Sequence, residues 1–591
     1  GWPMNVFLTP DQKPFFAGTY FPPESRWGKL GFKDILLAIA KLWREDRDRI
    51  YTSSESLSKA VEQLNSLAPP TGHIPLETVS NTANQLADMF DKTNGGIGGG
   101  GTNKFPPSMT MGLMLREYRR TEKLGKPKRK LLELVTLTLD NMANGGIYDH
   151  LGGGIARYST DPHWLVPHFE KMLYDQALVS GIYLEAYELT QNDRYADVAK
   201  DIFDYVITDL QSPRGGFYSS RDADSEGAEG KYYVWSKSQV MSTLGRQTGE
   251  LFCSYYDVTD EGNWEGQNIL NIQRDIETVA RLHRIEPCTL KTVLAEARTK
   301  LLTERMKRVP PGLDDKVLTA WNGLMIASLA HGGRVLSETK YTEAAVRAAD
   351  FILDQLSSNG RLLRSYRNGR AHTFGFADDY AFFIAGLLEL YQTTFETRWL
   401  KEAIRLNQQM IEYFWDKSDG VFFFIADDAE KVIIRTKDIR DGVIPSSNSV
   451  SLMNLLCLSL ILDREDLRHK AERIIEAFSG NIRQSPIGFE RFLTGVLFCH
   501  SAPSEIVIMG SPNHAATQAL IQTVQKVYDP YKIVLLLDPT ARDARLWQKE
   551  IPLLQGKVLL DNKPTAYLCR NRVCKKPTTS TDELLKQLRA N

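Results

Sequence analysis

Cysteine is scarce: six in 591 residues, at Cys253, Cys288, Cys457, Cys499, Cys569 and Cys574. They lie too far apart for a disulfide framework, and no CxxC pair occurs. Cys569 and Cys574, in CRNRVC, read as a solitary thiol pair or a turn. No HExxH is present, His163 and His168 stand five apart with His150 distant, and no metal is expected. GSPNH, the segment after His500 that could hold a phosphate, lacks both a P-loop and a GxGxxG pattern and reads as a connector, and no cofactor is expected. No run approaches the roughly 18 apolar residues of a membrane span. Basic residues (72) balance acidic ones (73) without a basic block, which argues against nucleic acid as a partner. The absence of an N-x-[ST] acceptor leans toward an intracellular compartment. The chain opens on Gly1 inside an apparent strand, so a targeting segment would lie upstream.

What is abundant is helical pattern. At this length more than one domain is expected, and a hydrophobic content of 42% is that of a globular protein. Residues 1–22 read as two aromatic strands around TPDQK, followed by an amphipathic helix from about Phe32 to Arg49. From about Leu76 to His500, one unit repeats: a helix ends at a glycine, a short aliphatic or aromatic segment follows, and a second helix begins. The breaks start at Asn94, Asn144, Arg214, Asn359, Asp419 and Pro486.

First helices are expected near 77–91, 128–143, 194–210, 341–357, 397–415 and 465–482, and second helices near 108–122, 168–189, 317–337, 378–394, 447–462 and 489–499. The second set is richer in apolar and small residues, as inner helices should be. Six hairpins of this kind predict a mainly α fold, a closed (α/α)6 toroid. An insertion with an aromatic strand, KYYVW, is expected at about 220–312. After His500, EIVIMG, a helix near 515–527 and KIVLLLD signal a small α/β lobe. The predicted division is therefore 1–70, 71–500 and 501–591.

The front segment resembles the second half of a thioredoxin fold, with Pro3 as its cis-proline and the redox half before Gly1. More widely, GWPMNVFLTPDQKPFFAGTYFPP, GGIYDHLGGGIARYSTDPHWLVPHFEKMLYDQA, GGFYSSRDADSEG, WNGLM, FADDYAF, DGVIPSSNS and AYLCRNRVC resemble the spermatogenesis-associated protein 20 family. That resemblance implies a thioredoxin-like domain followed by a six-hairpin toroid. The family's upstream CHWCH-type motif has no match here. The toroid is similar to those of sugar 2-epimerases and six-hairpin glycosidases, which implies carbohydrate chemistry by analogy of fold alone.

Chemistry concentrates where loops enter the inner helices. Gly145–Ala177 carries His150, Arg157, Tyr158, Trp164, His168, Glu170, Tyr174 and Asp175; the insertion brings Asp222 and Asp224; later loops bring Asp315, Asn322, Asp378, Asp379 and Asn448. An acid-rich, aromatic-lined pocket suits a small-molecule sugar. His150, His168 and Glu170 are candidate acid/base residues for epimerisation, and Asp222 or Asp224 opposite Asp378 or Asp379 would serve hydrolysis. Arg157, Tyr158, Trp164, Tyr174, Asp175, Asp224, Asp315, Asn322, Asp379 and Asn448 are candidate substrate contacts. The acids at 378 and 379 equally suit helix capping, and Lys171 with Asp175 suits a local pair on a helix. The alternative is a redox-linked or scaffold protein whose full-length thioredoxin-like domain acts on a client while the toroid only binds. Oligomeric state is left open.

Overall fold

The computed structural model describes residues 4–26, 28–98, 103–430 and 433–590; Pro3, read above as a cis-proline, lies outside them. Strands Asn5–Leu8 and Pro14–Gly18 pair antiparallel across the TPDQK turn. Helices α1 (Phe32–Glu45) and α2 (Arg47–Leu64) follow. The single helix expected to reach Arg49 is broken at Asp46, whose carboxylate accepts the Arg49 N–H and starts α2. A hairpin and two helices cover little surface, and Val6, Leu8, Phe16, Leu36 and Leu37 stay exposed.

Next come α3 (Leu76–Met89), α4 (Ser108–Lys123), α5 (Arg129–Asn144), α6 (Leu173–Thr190) and α7 (Asp193–Tyr205). The insertion holds α8 (Lys237–Leu244), α9 (Arg246–Tyr255), α10 (Ile276–His283) and α11 (Pro287–Arg305). Then follow α12 (Thr319–Leu336), α13 (Thr339–Gln355), α14 (Ala377–Thr394), α15 (Thr397–Phe414), α16 (Ser447–Leu462), α17 (Glu465–Gln484) and α18 (Glu490–His500). Helices α4, α6, α12, α14, α16 and α18 each pack on the next, and α18 packs back on α4, so the ring closes. The fold is an (α/α)6 toroid. Apolar residues surround an inner helix such as α14, whereas the outer helix α15 buries one stripe, because it faces solvent on the other side.

Two expectations fail locally. The helix expected from residue 168 begins at Leu173, because Lys171–Met172 pair with Ser220–Arg221, which pair in turn with Leu313–Asp314. Lys171 and Asp175 therefore share no helix face, and the Lys171 ammonium goes instead to Asp149 at 2.8 Å. KYYVW forms a turn with one bridge, Trp235 to Asn268. Its rings lie over cations: Tyr233 over Lys171 at 5.0 Å and Trp235 over Arg308 at 3.9 Å.

Beyond α18 stands a four-stranded sheet in the order Ile533–Leu537, Ser504–Met509, Thr565–Arg570, Val573–Cys574, with α19 (Ala515–Gln525) making the parallel crossover. Cys569 and Cys574 close a disulfide across the last pair. This lobe plugs the C-terminal end of the ring. Arg119 of α4 donates to the Tyr528 carbonyl at 3.1 Å, the Tyr528 hydroxyl donates to Glu185 of α6 at 2.9 Å, and Val534 N–H reaches Gln392 of α14 at 3.2 Å.

Candidate functional site

The opposite end of the ring is a mouth formed by the N-termini of the inner helices. Contacts stitch it around: Lys104 and Ser159 exchange backbone bonds ahead of α4 and α6, Tyr174 meets Trp321 edge to face at 4.9 Å, and Asp379 of α14 accepts Ala320 N–H of α12 at 2.9 Å. Asp441 closes the circuit by accepting the N–H groups of Arg491 and Phe492 at the start of α18.

One wall of the mouth is built from the long loop of the second hairpin. His168 Nδ1 lies 2.7 Å from Glu229 and its Nε2 3.7 Å from Glu170; Arg157 donates to Glu170 at 2.9 Å. Tyr158 stacks on the His168 ring at 5.0 Å. Glu170 and Glu229 together raise the imidazole pKa against the opposing effect of burial. His168 and Arg157 in turn hold Glu170 below its usual value. One turn on, Asp175 behaves oppositely: desolvation raises it well above a normal carboxyl, and its Oδ2 is buried without a hydrogen-bond partner. Burial and Asp175 push Tyr174 up to about 12.

Further round the ring, at α14 and the loop ahead of α16, the mouth is acidic. Arg364 donates to Asp378 at 2.8 Å and to Asp379 at 2.7 Å. Burial and the neighbouring Asp378 raise Asp379, which also accepts Phe376 N–H at 2.8 Å. Asp438, pushed up to about 6 by burial with help from Asp378 and Asp441, accepts Ser447 N–H at 2.7 Å.

Several other candidates are buried or have their polar groups engaged, while Asp224 lies across a short strand pair from Glu229. His150 is buried between Tyr148 and Tyr256 with Nε2 3.0 Å from the Gly145 carbonyl, and burial lowers its pKa to about 4. Trp164 is wholly buried and donates to the Asn94 carbonyl at 2.8 Å. Asn322 and Asn448 each clamp both backbone groups of one loop residue, Phe217 and Phe422 respectively, at 2.8–3.0 Å. Gln176 does the same to Ile155, and Tyr380 accepts the N–H of Leu362, so four inner helices share a lock that fixes the loop ahead of them. The amides of 322 and 448 thus have their donors and acceptors engaged by backbone. Asp222 and Asp224 are exposed on the insertion, and Asp315 pairs with Arg367 at 2.5 Å. His168, Glu170, Arg157, Tyr158, Tyr174 and Asp175 converge on one wall, with Asp378 and Asp379 further round the ring at the start of α14. Among the described residues, no three His, Cys, Asp or Glu side chains form a metal-sized group. No described helix is long and apolar enough to cross a membrane.

Glu229, Trp321, Arg364 and Asp438 were not singled out from the sequence. Trp321 carried a usable signal, an aromatic in the first turn of an inner helix. The other three are joined to the mouth by contacts that local pattern does not reveal.

These features define a six-hairpin toroid with a thioredoxin-like segment in front and an α/β lobe behind. The chain belongs to the spermatogenesis-associated protein 20 family: it is 34% identical to human spermatogenesis-associated protein 20 and to the mouse protein, in each case over all of this chain and 79% of the relative. Residues 1–62 match the family model Thioredox_DsbH, "Protein of unknown function, DUF255". Among solved structures, a GH76 α-mannanase from Bacteroides thetaiotaomicron is 12% identical over 69% of this chain and 96% of that one, with a TM-score of 0.37. A cellobiose 2-epimerase from Spirochaeta thermophila is 14% identical over 68% and 98%, with a TM-score of 0.28. Likeness at this level says nothing of a reaction.

Proposed function

We propose that the mouth binds a neutral sugar and moves a proton on it, as an epimerase or isomerase does. The observation that carries this reading is the pair Glu170 and Asp175, two carboxyls on one wall whose environments push their pKa values in opposite directions. Glu170 is the base and the protonated Asp175 the acid. His168, held by Glu229 and Glu170, and Arg157 position the base. Trp321, partly exposed, offers a face for a sugar ring, while Asp378 and Asp438 offer acceptors for its hydroxyls.

The test is incubation with a panel of aldoses, ketoses and disaccharides in deuterated water, read by NMR. Deuterium should enter at the carbon beside the carbonyl of at least one sugar. Glu170→Gln and Asp175→Asn should each lower the rate by at least ~100-fold. Sugars that bind without exchange would reduce the mouth to a binding site, and full exchange in both variants would remove these two residues from the chemistry.

A further inference from the structure

Below the mouth the ring encloses a cavity of about 300 Å³, closed at the far end by the C-terminal lobe. Much of its wall is apolar, including Ile182, Leu324, Phe382, Leu388 and Met453. Charged side chains interrupt that wall, and each carboxylate among them has its own basic partner. Glu185 takes Arg116 at 2.7 and 2.9 Å, Glu188 takes His331 at 2.9 Å, Glu389 takes Arg334 at 3.0 Å, and Asp529 takes Lys123 at 3.3 Å.

Two lining cations are left over. Lys532 directs its ammonium at the carbonyls of Val524 and Val527, at 3.1 and 2.8 Å. The Arg491 guanidinium lines the cavity with no hydrogen-bond or ion-pair partner among the described residues. Its nearest acids are engaged: Asp441 accepts backbone N–H groups, and Glu185 holds Arg116 and the Tyr528 hydroxyl. The Tyr531 hydroxyl, outside the residues that line the cavity but near enough to Arg116 and Arg491 to feel both charges, is also buried without a partner. A guanidinium held out of bulk water with unused donors is the arrangement that a bound oxyanion completes.

We propose that the axial cavity is a binding site for a small organic anion, its carboxylate or phosphate-monoester head on Arg491 and its apolar body against Ile182, Leu324 and Phe382. The planar guanidinium fork matches either head, and the volume is at the lower end of small-molecule pockets. Since its residues are distinct from Glu170 and Asp175, the proposal stands or falls apart from the reading of the mouth.

Octanoate, octyl phosphate and octanol are suitable probes, titrated by calorimetry and thermal melting into the full chain and its Arg491→Gln and Arg491→Lys variants. At least one anion should bind and raise the melting temperature; octanol should not. The anion that binds more tightly tells a carboxylate ligand from a phosphate ester. Arg491→Gln should weaken that anion by ~10-fold or more, with Arg491→Lys in between. Failure of both anions to bind, octanol binding as tightly as the anions, or an unchanged affinity in Arg491→Gln would each overturn the proposal, and the first two need no variant to fold.

Discussion

Asp175 sits in an environment at odds with its ordinary chemistry. Its pKa is raised in the folded chain, so folding takes up a proton, and stability declines as pH rises from the unfolded value near 4 toward the folded one. Asp175→Asn should therefore be more stable than the parent at pH 7, with the advantage disappearing below about pH 4, as urea melts across pH would show. An equal melting curve at pH 7 would mean that the carboxyl ionises freely in the fold. His150 works in the other direction: its folded pKa of about 4 lies below the unfolded ~6.5, so its contribution is full above pH ~6.5 and is lost as acid is added, by about 3 kcal/mol in total. At this scale the sequence was partly legible. His168, Glu170 and Arg157 stood out because one glycine-rich loop carried them all. Glu229 did not, since it meets His168 from 61 residues away through the insertion. Asn322 and Asn448 had the composition of ligands, but their amides serve the backbone, a use that no local pattern separates from binding.

Helices α12 and α14 approach closely, and glycine permits it. A Cβ on Gly323 would lie 2.5 Å from the Phe382 carbonyl carbon, and one on Gly386 would lie 2.8 Å from the Gly323 oxygen. Gly323→Ala should cost about 1–3 kcal/mol by forcing the two helices apart, measurable as a lower denaturation midpoint with an unchanged slope. An undiminished midpoint would show that the crossing has slack. Helix ends were the best-read feature of the chain, because a 3.6-residue pattern stopped by glycine is a local signal. The start of α6 was misread for the opposite reason: Lys171–Met172 are extended only because Ser220–Arg221 lie alongside them. KYYVW likewise had strand composition, yet its aromatic rings pack over Lys171, Arg305 and Arg308 rather than along a ladder.

For the whole molecule, the count of six hairpins made the ring legible, whereas the lobe's role as its plug was not, because that depends on single bonds such as Tyr528 to Glu185 across 343 residues. Removing residues 501–591 should open the axial cavity, raise binding of a hydrophobic dye and lower the melting temperature by several degrees, each kcal/mol lost being worth ~2–4 °C in chains of 150–250 residues and less in one this size. Dye binding equal to that of the full chain would mean that the ring seals itself.

Closure of the ring also sets an order of events during synthesis. The bond from His500 to the Ile74 carbonyl spans 426 positions, and Thr71 waits on Ser479 across 408. Early hairpins must leave the ribosome long before their last neighbour exists, with the apolar flanks of α4 open to water and to one another. Such a chain is slow to finish and exposed to misassembly while it waits. Translation of the final hairpin, rather than formation of any single helix, is then the step that commits the nascent protein to its native topology.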